Sequence, residues 1–362
     1  MNRPAVLLLE DGARYAGTGV GPDGIAEGEA VFFTGMTGYE EALTDPSYNG
    51  QLLVFCYPLI GNYGIDPSVR QHHRIVASGA ICKRVSRHPS HWRSSSSLPD
   101  WLEESGVRAI EGIDTRALVT RLREEGTMRA VLGVGERAIT AAPAALERYR
   151  AKALGTPELV RAVSPAETAP RGSGPLRVAL LNCGSKENIA SLTAAEGVEV
   201  FDMPFTATLD DVLALRPDGL LVSNGPGDPT ELTGVVETLR AAIERRDLPT
   251  YGICLGHQLI ALALGARTYK MKYGHRGGNQ PVQDLRSGEV MITAQNHGYA
   301  VDARSLPPDV EQTMINLNDG SNEGLRHRTL PVESVQFHPE ASPGPLDARD
   351  FFRRFVDVMR RG

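Results

Sequence analysis

A cysteine between two glycines is the strongest candidate for chemistry in this sequence. Cys254 lies in the segment from Tyr251 to Gln258, with Gly252 and Gly256 two residues to either side. Gly-x-Cys-x-Gly at a strand-to-helix turn is typical of a nucleophile elbow, which requires small residues around the nucleophile. A helix N-terminus there favours the thiolate and lowers the thiol pKa from about 8.5. The pattern predicts a nucleophilic thiol; a small buried residue in a glycine-rich turn is the alternative.

A histidine and a glutamate near the C-terminus could serve as base and orienting group. His338 and Glu340 follow a predicted strand at 332–337, and Pro339 stiffens the chain between them. Residues two apart in an extended chain point the same way, so Glu340 is expected to reach the imidazole of His338. A nucleophilic thiol needs such a base, and the base needs an orienting group. The residues therefore predict a Cys–His–Glu triad; a solvated histidine and a surface carboxylate are the alternative.

A third segment could stabilise negative charge. The loop from Ser223 to Pro229 is rich in glycine and proline and directly follows a predicted strand at 219–222. Without bulky side chains, its backbone N–H groups could face a developing oxyanion. An ordinary turn at the end of a strand is the alternative.

The elements around these segments predict an α/β fold. Strands are expected at 177–181, 198–202, 219–222 and 250–253, alternating with helices at 189–195, 209–215, 231–245 and 257–264. Such alternation predicts a C-terminal, mainly parallel sheet flanked by helices. Because parallel strands end at one edge of a sheet, Cys254 and the 223–229 loop are expected at the same edge.

The first 150 residues predict a separate, mixed α/β domain. Short apolar runs at 6–9, 30–33, 52–55 and 77–81 are strand-like. Asp114 and Gly126 are expected to cap the two ends of a helix. Residues 151–175 are rich in small residues, proline and glycine, which is typical of a linker. The expected domains are therefore 1–150 and 176–362, joined by a linker at 151–175.

Composition narrows the class of protein. The 38 Lys and Arg against 44 Asp and Glu give a net charge of −6, which argues against a nucleic-acid partner. The apolar runs at 5–9 and 259–266 are too short for a signal peptide core or a membrane span, so a cytoplasmic protein without a membrane partner is expected. The four cysteines lack CxxC spacing, which predicts neither disulfides nor a metal site. Cys56, Cys82 and Cys183 are expected to be packing residues.

The three chemical segments resemble the class I, triad-type glutamine amidotransferases. Segments across the rest of the chain resemble the small subunit of carbamoyl-phosphate synthase; they lie at 34–39, 43–48, 61–64, 90–94, 112–118, 274–279, 295–299 and 341–345. The resemblance covers essentially the whole chain, and the N-terminal segments select this subunit within the class.

The resemblance implies a role for each matching residue. Cys254 would attack the side-chain amide of L-glutamine and form a γ-glutamyl thioester. His338 would act as base and then acid, and Glu340 would orient it. The implied oxyanion hole uses the backbone N–H groups of Gly225 and Leu255. Glutamine recognition is implied for Ser47, Gly227, Gln258, Asn296, Gly298 and Tyr299, of which Ser47 comes from the first domain.

The resemblance also implies a partner. No ATP site or metal cluster is recognisable in the sequence, and no cofactor is expected in this chain. A large synthetase subunit would hold ATP and a divalent metal, dock on the first domain, and receive ammonia through an internal passage. It would make carbamoyl phosphate from bicarbonate for pyrimidine and arginine synthesis.

Three alternatives remain at this point. The chain could be the amidotransferase subunit of another synthase, such as anthranilate or guanylate synthesis. It could be a catalytically silent docking or regulatory subunit. It could also be a stand-alone hydrolase of peptides or γ-glutamyl conjugates.

Overall fold

Two structural units make up the chain, residues 1–154 and residues 155–362. The computed structural model describes residues 3–152 and 155–361. Each unit has its own sheet and its own buried apolar clusters. The units are therefore described separately.

A closed barrel forms the centre of the first unit. The strands of this unit are β1 (Pro4–Leu9), β2 (Arg14–Val20), β3 (Gly24–Phe33), β4 (Gln51–Phe55), β5 (Leu59–Ile60), β6 (Gly79–Ile81), β7 (Arg84–Val85), β8 (Arg108–Glu111) and β9 (Met128–Val134). Its helices are α1 (Tyr39–Thr44), α2 (Leu98–Glu104), α3 (Thr115–Glu125) and α4 (Glu136–Ala151). The barrel order is β1-β2-β8-β6-β4-β3-β9, while β5 and β7 pair with each other.

Alternation along β4 shows how the barrel is filled. Leu52 and Val54 belong to one cluster of buried side chains, whereas Leu53 and Phe55 belong to another. Successive side chains of a strand point to opposite faces, so one apolar strand supplies two separate cores. This explains why the strand is apolar throughout rather than alternately polar.

The predicted caps of α3 are confirmed. The Asp114 carboxylate accepts a hydrogen bond from the Ala117 N–H at 3.0 Å and so satisfies a free donor of the first turn. At the other end, Gly126 adopts a φ of 101°, which favours glycine, and its N–H bonds the carbonyl of Leu122.

The second unit is built on one ten-stranded sheet. Its strands are β10 (Ala169–Gly172), β11 (Arg177–Asn182), β12 (Glu199–Pro204), β13 (Gly219–Val222), β14 (Thr250–Ile253), β15 (Thr268–Asp284), β16 (Val290–Val301), β17 (Val310–Asn316), β18 (Asn322–His327) and β19 (Val332–Val335). Its helices are α5 (Thr156–Arg161), α6 (Glu187–Ala195), α7 (Leu209–Ala214), α8 (Thr233–Glu244), α9 (Leu255–Ala263) and α10 (Asp350–Met359). None of the helices in the described residues is long and apolar enough to cross a membrane.

The sheet combines a parallel half with an antiparallel half. Its order is β10-β12-β11-β13-β14-β19-β18-β17-β15-β16. The predicted α/β fold is confirmed, and the parallel pairing runs through β12, β11, β13, β14 and β19. From β19 to β16 every pair is antiparallel, an extension that the sequence analysis did not predict.

The segment predicted as a linker is structured from residue 156 onward, so the linker prediction needs correction. Val160 of α5 is fully buried in a core of the second unit. Strand β10 pairs antiparallel with β12, with Pro170 opposite Phe201. Proline is tolerated there because β10 is an edge strand of the sheet. The proline- and glycine-rich composition therefore marks a sheet edge rather than a free connection.

The cysteines other than Cys254 agree with the expected packing role. None of the four cysteines, all of which lie in the described residues, forms a disulfide; Cys82 and Cys183 are fully buried, and Cys56 is half-buried. Burial raises the pKa of Cys56 to about 11 and that of Cys183 to about 12. A thiol with so high a pKa is a poor nucleophile at neutral pH.

Candidate active site

Cys254 occupies a sharp turn between β14 and α9. Its φ of 56° and ψ of −103° are rare for a residue other than glycine, and its side chain is 2% exposed. The Cys254 N–H donates to the carbonyl of Val335 at 2.9 Å, which fixes the turn against β19. Strain at a single residue between a strand and a helix is characteristic of a nucleophile elbow.

The two flanking glycines are required by close contacts. A Cβ at Gly256 would lie 2.3 Å from the carbonyl oxygen of Val222 on β13. A Cβ at Gly252 would lie 2.7 Å from the carbonyl carbon and oxygen of Gly256. Neither position has room for a side chain, so the glycines allow the turn that presents the Cys254 sulfur.

The glycine-rich loop lies beside this turn. The Gly256 N–H donates to the carbonyl of Ser223 at 3.0 Å. A Cβ at Gly225 would lie 2.1 Å from the carbonyl oxygen of Cys183 and 2.9 Å from Leu255 Cδ2. Gly225 and Leu255, the two residues proposed for the oxyanion hole, are therefore neighbours.

His338 and Glu340 form a buried pair, but not for the predicted reason. Strand β19 ends at Val335, and residues 338–341 form a turn in which the Ala341 N–H donates to the His338 carbonyl. Within this turn His338 Nδ1 lies 2.6 Å from Glu340 Oε1. The extended geometry expected from the sequence is absent there, and the turn brings the two side chains together.

The orientation of the His338 ring follows from its partner. A carboxylate only accepts hydrogen bonds, so the proton of the neutral imidazole resides on Nδ1. His338 Nε2 is buried and has no hydrogen-bond partner among the described residues. This nitrogen therefore carries a lone pair and can take a proton.

Lys186 completes the surroundings of Glu340 and was missed by the sequence analysis. Its Nζ lies 3.3 Å from Glu340 Oε1 and donates to the carbonyl of Ala341 at 2.7 Å, with the side chain only 3% exposed. Burial alone would raise the pKa of Glu340, but its interaction with His338 and the charge of Lys186 lower it below its usual value. Glu340 is thus held as a carboxylate. The available signal was the position of Lys186 just after β11, at the sheet edge that carries Cys254.

Strand β16 brings the thiol and the imidazole to one place. Cys254 Sγ lies 3.7 Å from the carbonyl oxygen of Asn296. Two residues earlier, the carbonyl of Ala294 accepts a hydrogen bond from the His338 N–H at 2.8 Å. The predicted nucleophile and the predicted base are therefore anchored to the same short stretch of one strand.

The proposed glutamine-binding residues of the second unit surround this stretch. Gln258 is buried, and its Nε2 donates to the carbonyl of Tyr299 at 2.7 Å and to Gln336 Oε1 at 3.0 Å. Both amide hydrogens of Gln258 are thus used within the protein, which leaves its oxygen as the atom able to accept from a ligand. Asn296 and Gly298 lie on β16. A Cβ built at Gly298 would lie 3.3 Å from Nη2 of Arg276, so this glycine lies beside the guanidinium.

Gly227 and Ser47 lie in different units. Gly227 has a φ of 98°, and a Cβ there would lie 2.4 Å from Thr156 Cγ2. Thr156 Oγ1 accepts from the Asp228 N–H at 2.8 Å, so helix α5 supports this loop. Ser47 is buried in the first unit, where its N–H donates to Asp45 Oδ1 at 2.9 Å. A role for Ser47 in glutamine binding stays a prediction.

Together these contacts provide the parts needed for acyl transfer. A thiol, a basic ring nitrogen oriented by a carboxylate, and a glycine-rich loop lie at one edge of the sheet. This combination of fold and site is typical of the class I glutamine amidotransferases.

Comparisons with protein families agree with this class. Residues 179–358 match the model of the class-I glutamine amidotransferases. Residues 7–132 match the model of the carbamoyl-phosphate synthase small chain, CPSase domain.

Curated relatives match over nearly their full length. A protein of Symbiobacterium thermophilum named carbamoyl phosphate synthase small chain is 48% identical over 358 residues, covering 98% of both chains. A protein of the same name from Akkermansia muciniphila is 46% identical over 365 residues, covering 98% of this chain and 97% of its own. The chain therefore belongs to the carbamoyl phosphate synthase small chain family.

A solved structure resembles part of the chain more distantly. It is a glutamine amidotransferase from Thermotoga maritima, with 17% identity and a TM-score of 0.39. The match covers 52% of this chain and 86% of that protein. A score at this level adds nothing to the family assignment.

Proposed function

We propose that this chain is the glutamine-hydrolysing subunit of a carbamoyl-phosphate synthase. The observation that carries the proposal is the state of His338: Nδ1 is bonded to Glu340, and the buried Nε2 has no partner among the described residues. This base is anchored to the part of β16 whose Asn296 carbonyl contacts the Cys254 sulfur. Family membership supports glutamine as the substrate.

The first half of the reaction forms a thioester. His338 Nε2 takes the proton from Cys254 Sγ, and the thiolate attacks Cδ of the glutamine side chain. The electron pair of the carbonyl bond moves to oxygen, where backbone N–H groups of Gly225 and Leu255 stabilise it. The imidazolium then protonates the amide nitrogen as the carbon–nitrogen bond breaks, and ammonia leaves.

The second half releases glutamate. Water attacks the thioester carbon while His338 Nε2 accepts its proton. Collapse of the tetrahedral intermediate breaks the carbon–sulfur bond, and the proton on His338 returns to the sulfur. Glu340 stays ionised throughout, and its negative charge supports the imidazolium that forms twice in each cycle, while Lys186 holds Glu340 in its carboxylate form.

The use of the ammonia requires a partner. We propose that ammonia passes to a large subunit that holds ATP and a divalent metal and makes carbamoyl phosphate from bicarbonate. Docking of that subunit is assigned to the first unit, which the carbamoyl-phosphate synthase small-chain model matches. A cytoplasmic location and a supply to pyrimidine and arginine synthesis belong to the same proposal.

The experiment that tests this function compares two nitrogen sources. Cys254→Ser is purified with the large subunit, and carbamoyl phosphate synthesis is measured from glutamine and from added ammonia. Synthesis from glutamine should fall to background, while synthesis from ammonia should persist, because only the first reaction uses the thiol.

A matched control separates the chemistry from general damage to a cysteine. Cys56→Ser changes a half-buried thiol of the first unit and should leave both activities in place. Equal loss of both activities in Cys254→Ser would make Cys254 a structural residue. Full glutamine-dependent activity in that variant would exclude it as the nucleophile. Rapid glutamine hydrolysis by the isolated chain, unchanged by the large subunit, would favour a stand-alone hydrolase.

A further inference from the structure

A second buried cluster of chemically capable side chains lies in the antiparallel half of the second unit. It contains His275 on β15, His297 on β16 and Glu323 on β18, all at most 5% exposed. Each of these three residues offers one nitrogen or oxygen atom that could bind a metal, and these three atoms all lie within 4.8 Å of one another. The proposed reaction does not use any of them.

Gln295 places an oxygen between the two imidazoles. Its Oε1 lies 2.9 Å from His275 Nδ1 and 2.9 Å from His297 Nε2. The other end of this amide, Nε2, donates to Thr293 Oγ1 at 3.1 Å, and that hydroxyl donates to the carbonyl of Gln280 at 3.0 Å. Because the Thr293 hydroxyl already donates to Gln280, it can only accept from Gln295. The amide nitrogen of Gln295, rather than its oxygen, therefore lies beside Thr293 Oγ1.

The His297 ring faces more hydrogen-bond acceptors than a neutral imidazole has N–H groups to satisfy. His297 Nδ1 lies 2.8 Å from the carbonyl oxygen of Tyr299, so both nitrogens of His297 face oxygens that only accept. Satisfying both would require a doubly protonated imidazole. A neutral imidazole carries only one N–H. One close nitrogen–oxygen contact is therefore left without a hydrogen.

We propose that this cluster binds a divalent transition metal ion, with Zn²⁺ as the best-fitting member of that class. The ligands would be His275 Nδ1, His297 Nε2, Gln295 Oε1 and the Glu323 carboxylate. Metal–ligand bonds of about 2.0–2.2 Å in a tetrahedron separate the ligand atoms by roughly 3.3 Å. The measured separations are 2.9 Å from Gln295 Oε1 to each imidazole nitrogen and 3.5 Å from His275 Nδ1 to Glu323 Oε1.

The outer contacts are those that metal-binding histidines need. His275 Nε2 lies 3.0 Å from Asp319 Oδ2, and His297 Nδ1 faces the Tyr299 carbonyl. A metal-ligating histidine usually donates its other N–H to a carboxylate or a carbonyl oxygen in this way. A dication would also balance the two carboxylates, Asp319 and Glu323.

Glu323 has a free oxygen for this role. Its Oε1 accepts from Asn316 Nδ2 at 3.1 Å, and that nitrogen also lies 3.4 Å from His275 Nδ1. Glu323 Oε2 is buried without a hydrogen-bond partner among the described residues. A buried carboxylate oxygen without a partner is costly, and a cation would satisfy it.

The competing arrangement uses protein groups alone. Rotating the Gln295 amide by half a turn would let its two N–H groups donate to both imidazoles. It would also place the amide oxygen against Thr293 Oγ1 and leave Glu323 Oε2 without a partner. The experiment below separates this arrangement from metal binding.

Metal content and affinity test the proposal directly. The full-length chain is prepared with Cys254→Ser, so that the thiol cannot bind metal, and is stripped with a chelator. Zn²⁺ is then titrated in competition with a chromophoric chelator, and Co²⁺ binding is followed by visible absorption. One equivalent should bind, with the intense bands of a tetrahedral Co²⁺ site.

Two substitutions and one control locate the site. Asp319→Asn should weaken Zn²⁺ binding by roughly 10–100-fold, as is typical of losing an outer hydrogen-bond partner. Glu323→Gln, which keeps the shape of the side chain, should weaken it further. His327→Gln changes a half-buried histidine at the end of the same strand and should bind as the parent does.

The result that would overturn the proposal is also defined. Absence of stoichiometric Zn²⁺ in the parent chain would assign the cluster to the rotated Gln295 amide. One equivalent bound equally well by folded Glu323→Gln would place the metal elsewhere. Circular dichroism of each variant establishes that it is folded, and these readouts are independent of glutamine hydrolysis.

Discussion

Two groups of buried histidines and carboxylates lie along strand β16, and they differ first in the contacts of the histidine ring nitrogens. His338 is bonded at Nδ1 to Glu340, and its Nε2 has no partner among the described residues. In the second cluster, His275 and His297 have polar contacts at both ring nitrogens. Residue type and burial are the same in the two groups, so neither distinguishes a base from a structural or metal-binding histidine.

The carboxylates of the two groups differ as well. Burial would raise the pKa of Glu340, but its interaction with His338 and the charge of Lys186 outweigh burial and lower that pKa. Burial dominates at Glu323 and raises its pKa, although His275 and Asn316 act in the opposite direction. A triad carboxylate has to stay ionised while its histidine gains and loses a proton, and only Glu340 has a buried lysine to ensure this.

The largest expected effect is that of His338→Asn. Without the basic nitrogen, kcat for glutamine hydrolysis should fall by roughly 10⁶-fold, as for the histidine of other nucleophile–base pairs. The free energy of unfolding should change little by comparison. Steady-state kinetics and urea unfolding measure the two quantities. A variant with kcat near that of the parent chain would remove His338 from the reaction.

Glu340→Gln should come next. The orienting residue of a triad contributes about 100-fold less than the base, so a loss of roughly 10⁴-fold in kcat is expected. KM for glutamine should change far less than kcat, because the glutamine contacts are made by other residues. A change confined to KM would show that Glu340 binds substrate instead of orienting His338.

Lys186→Met should alter the pH dependence more than the maximal rate. The native carboxylate of Glu340 keeps its charge as the pH falls, until its lowered pKa is reached. Removing the lysine charge raises that pKa, so the loss of activity on the acidic side should begin at a higher pH. We expect about a tenfold loss near pH 6 and a smaller loss near pH 8. A pH–kcat profile parallel to that of the native chain would contradict this role.

His275→Gln should have the smallest effect on the reaction. We expect kcat to fall less than tenfold, while the free energy of unfolding falls by about 1–3 kcal/mol through lost contacts with Gln295 and Asp319. His327→Gln is the control outside this cluster: its Nδ1 accepts from the backbone N–H groups of Thr329 and Leu330, so it should lower the free energy of unfolding by about 1 kcal/mol and leave kcat unchanged. A loss of kcat as large as that of His338→Asn, with unchanged stability, would show that His275 also takes part in the reaction and contradict the difference between the two groups.

Local sequence signals predicted the parts of the fold that depend on neighbours in the chain. The strands Gly219–Val222 and Thr250–Ile253 have the predicted bounds, and Asp114 and Gly126 cap α3 as expected. Glycine spacing around Cys254 also identified the turn, because a tight strand-to-helix connection excludes side chains at those positions.

Contacts between distant segments could not be predicted in the same way. Lys186 reaches Glu340 across 154 residues of sequence, and the cluster around Gln295 draws on four strands. Strand β15 is largely polar and exposed over its first six residues, so it lacks the alternation by which a strand is recognised. The contact between His338 and Glu340 was predicted, but its geometry depends on a turn fixed by Ala294 of another strand.

The most direct test of the central claim is chemical labelling of Cys254 in the intact complex with the large subunit. An electrophilic analogue of glutamine is added with and without excess glutamine, and the modified residue is identified by mass spectrometry of the digested chain. We predict one label per chain on Cys254, protection by glutamine, and loss of glutamine-dependent but not ammonia-dependent synthesis. Label on another cysteine, or full glutamine-dependent activity after Cys254 is labelled, would contradict the assignment of Cys254 as the nucleophile.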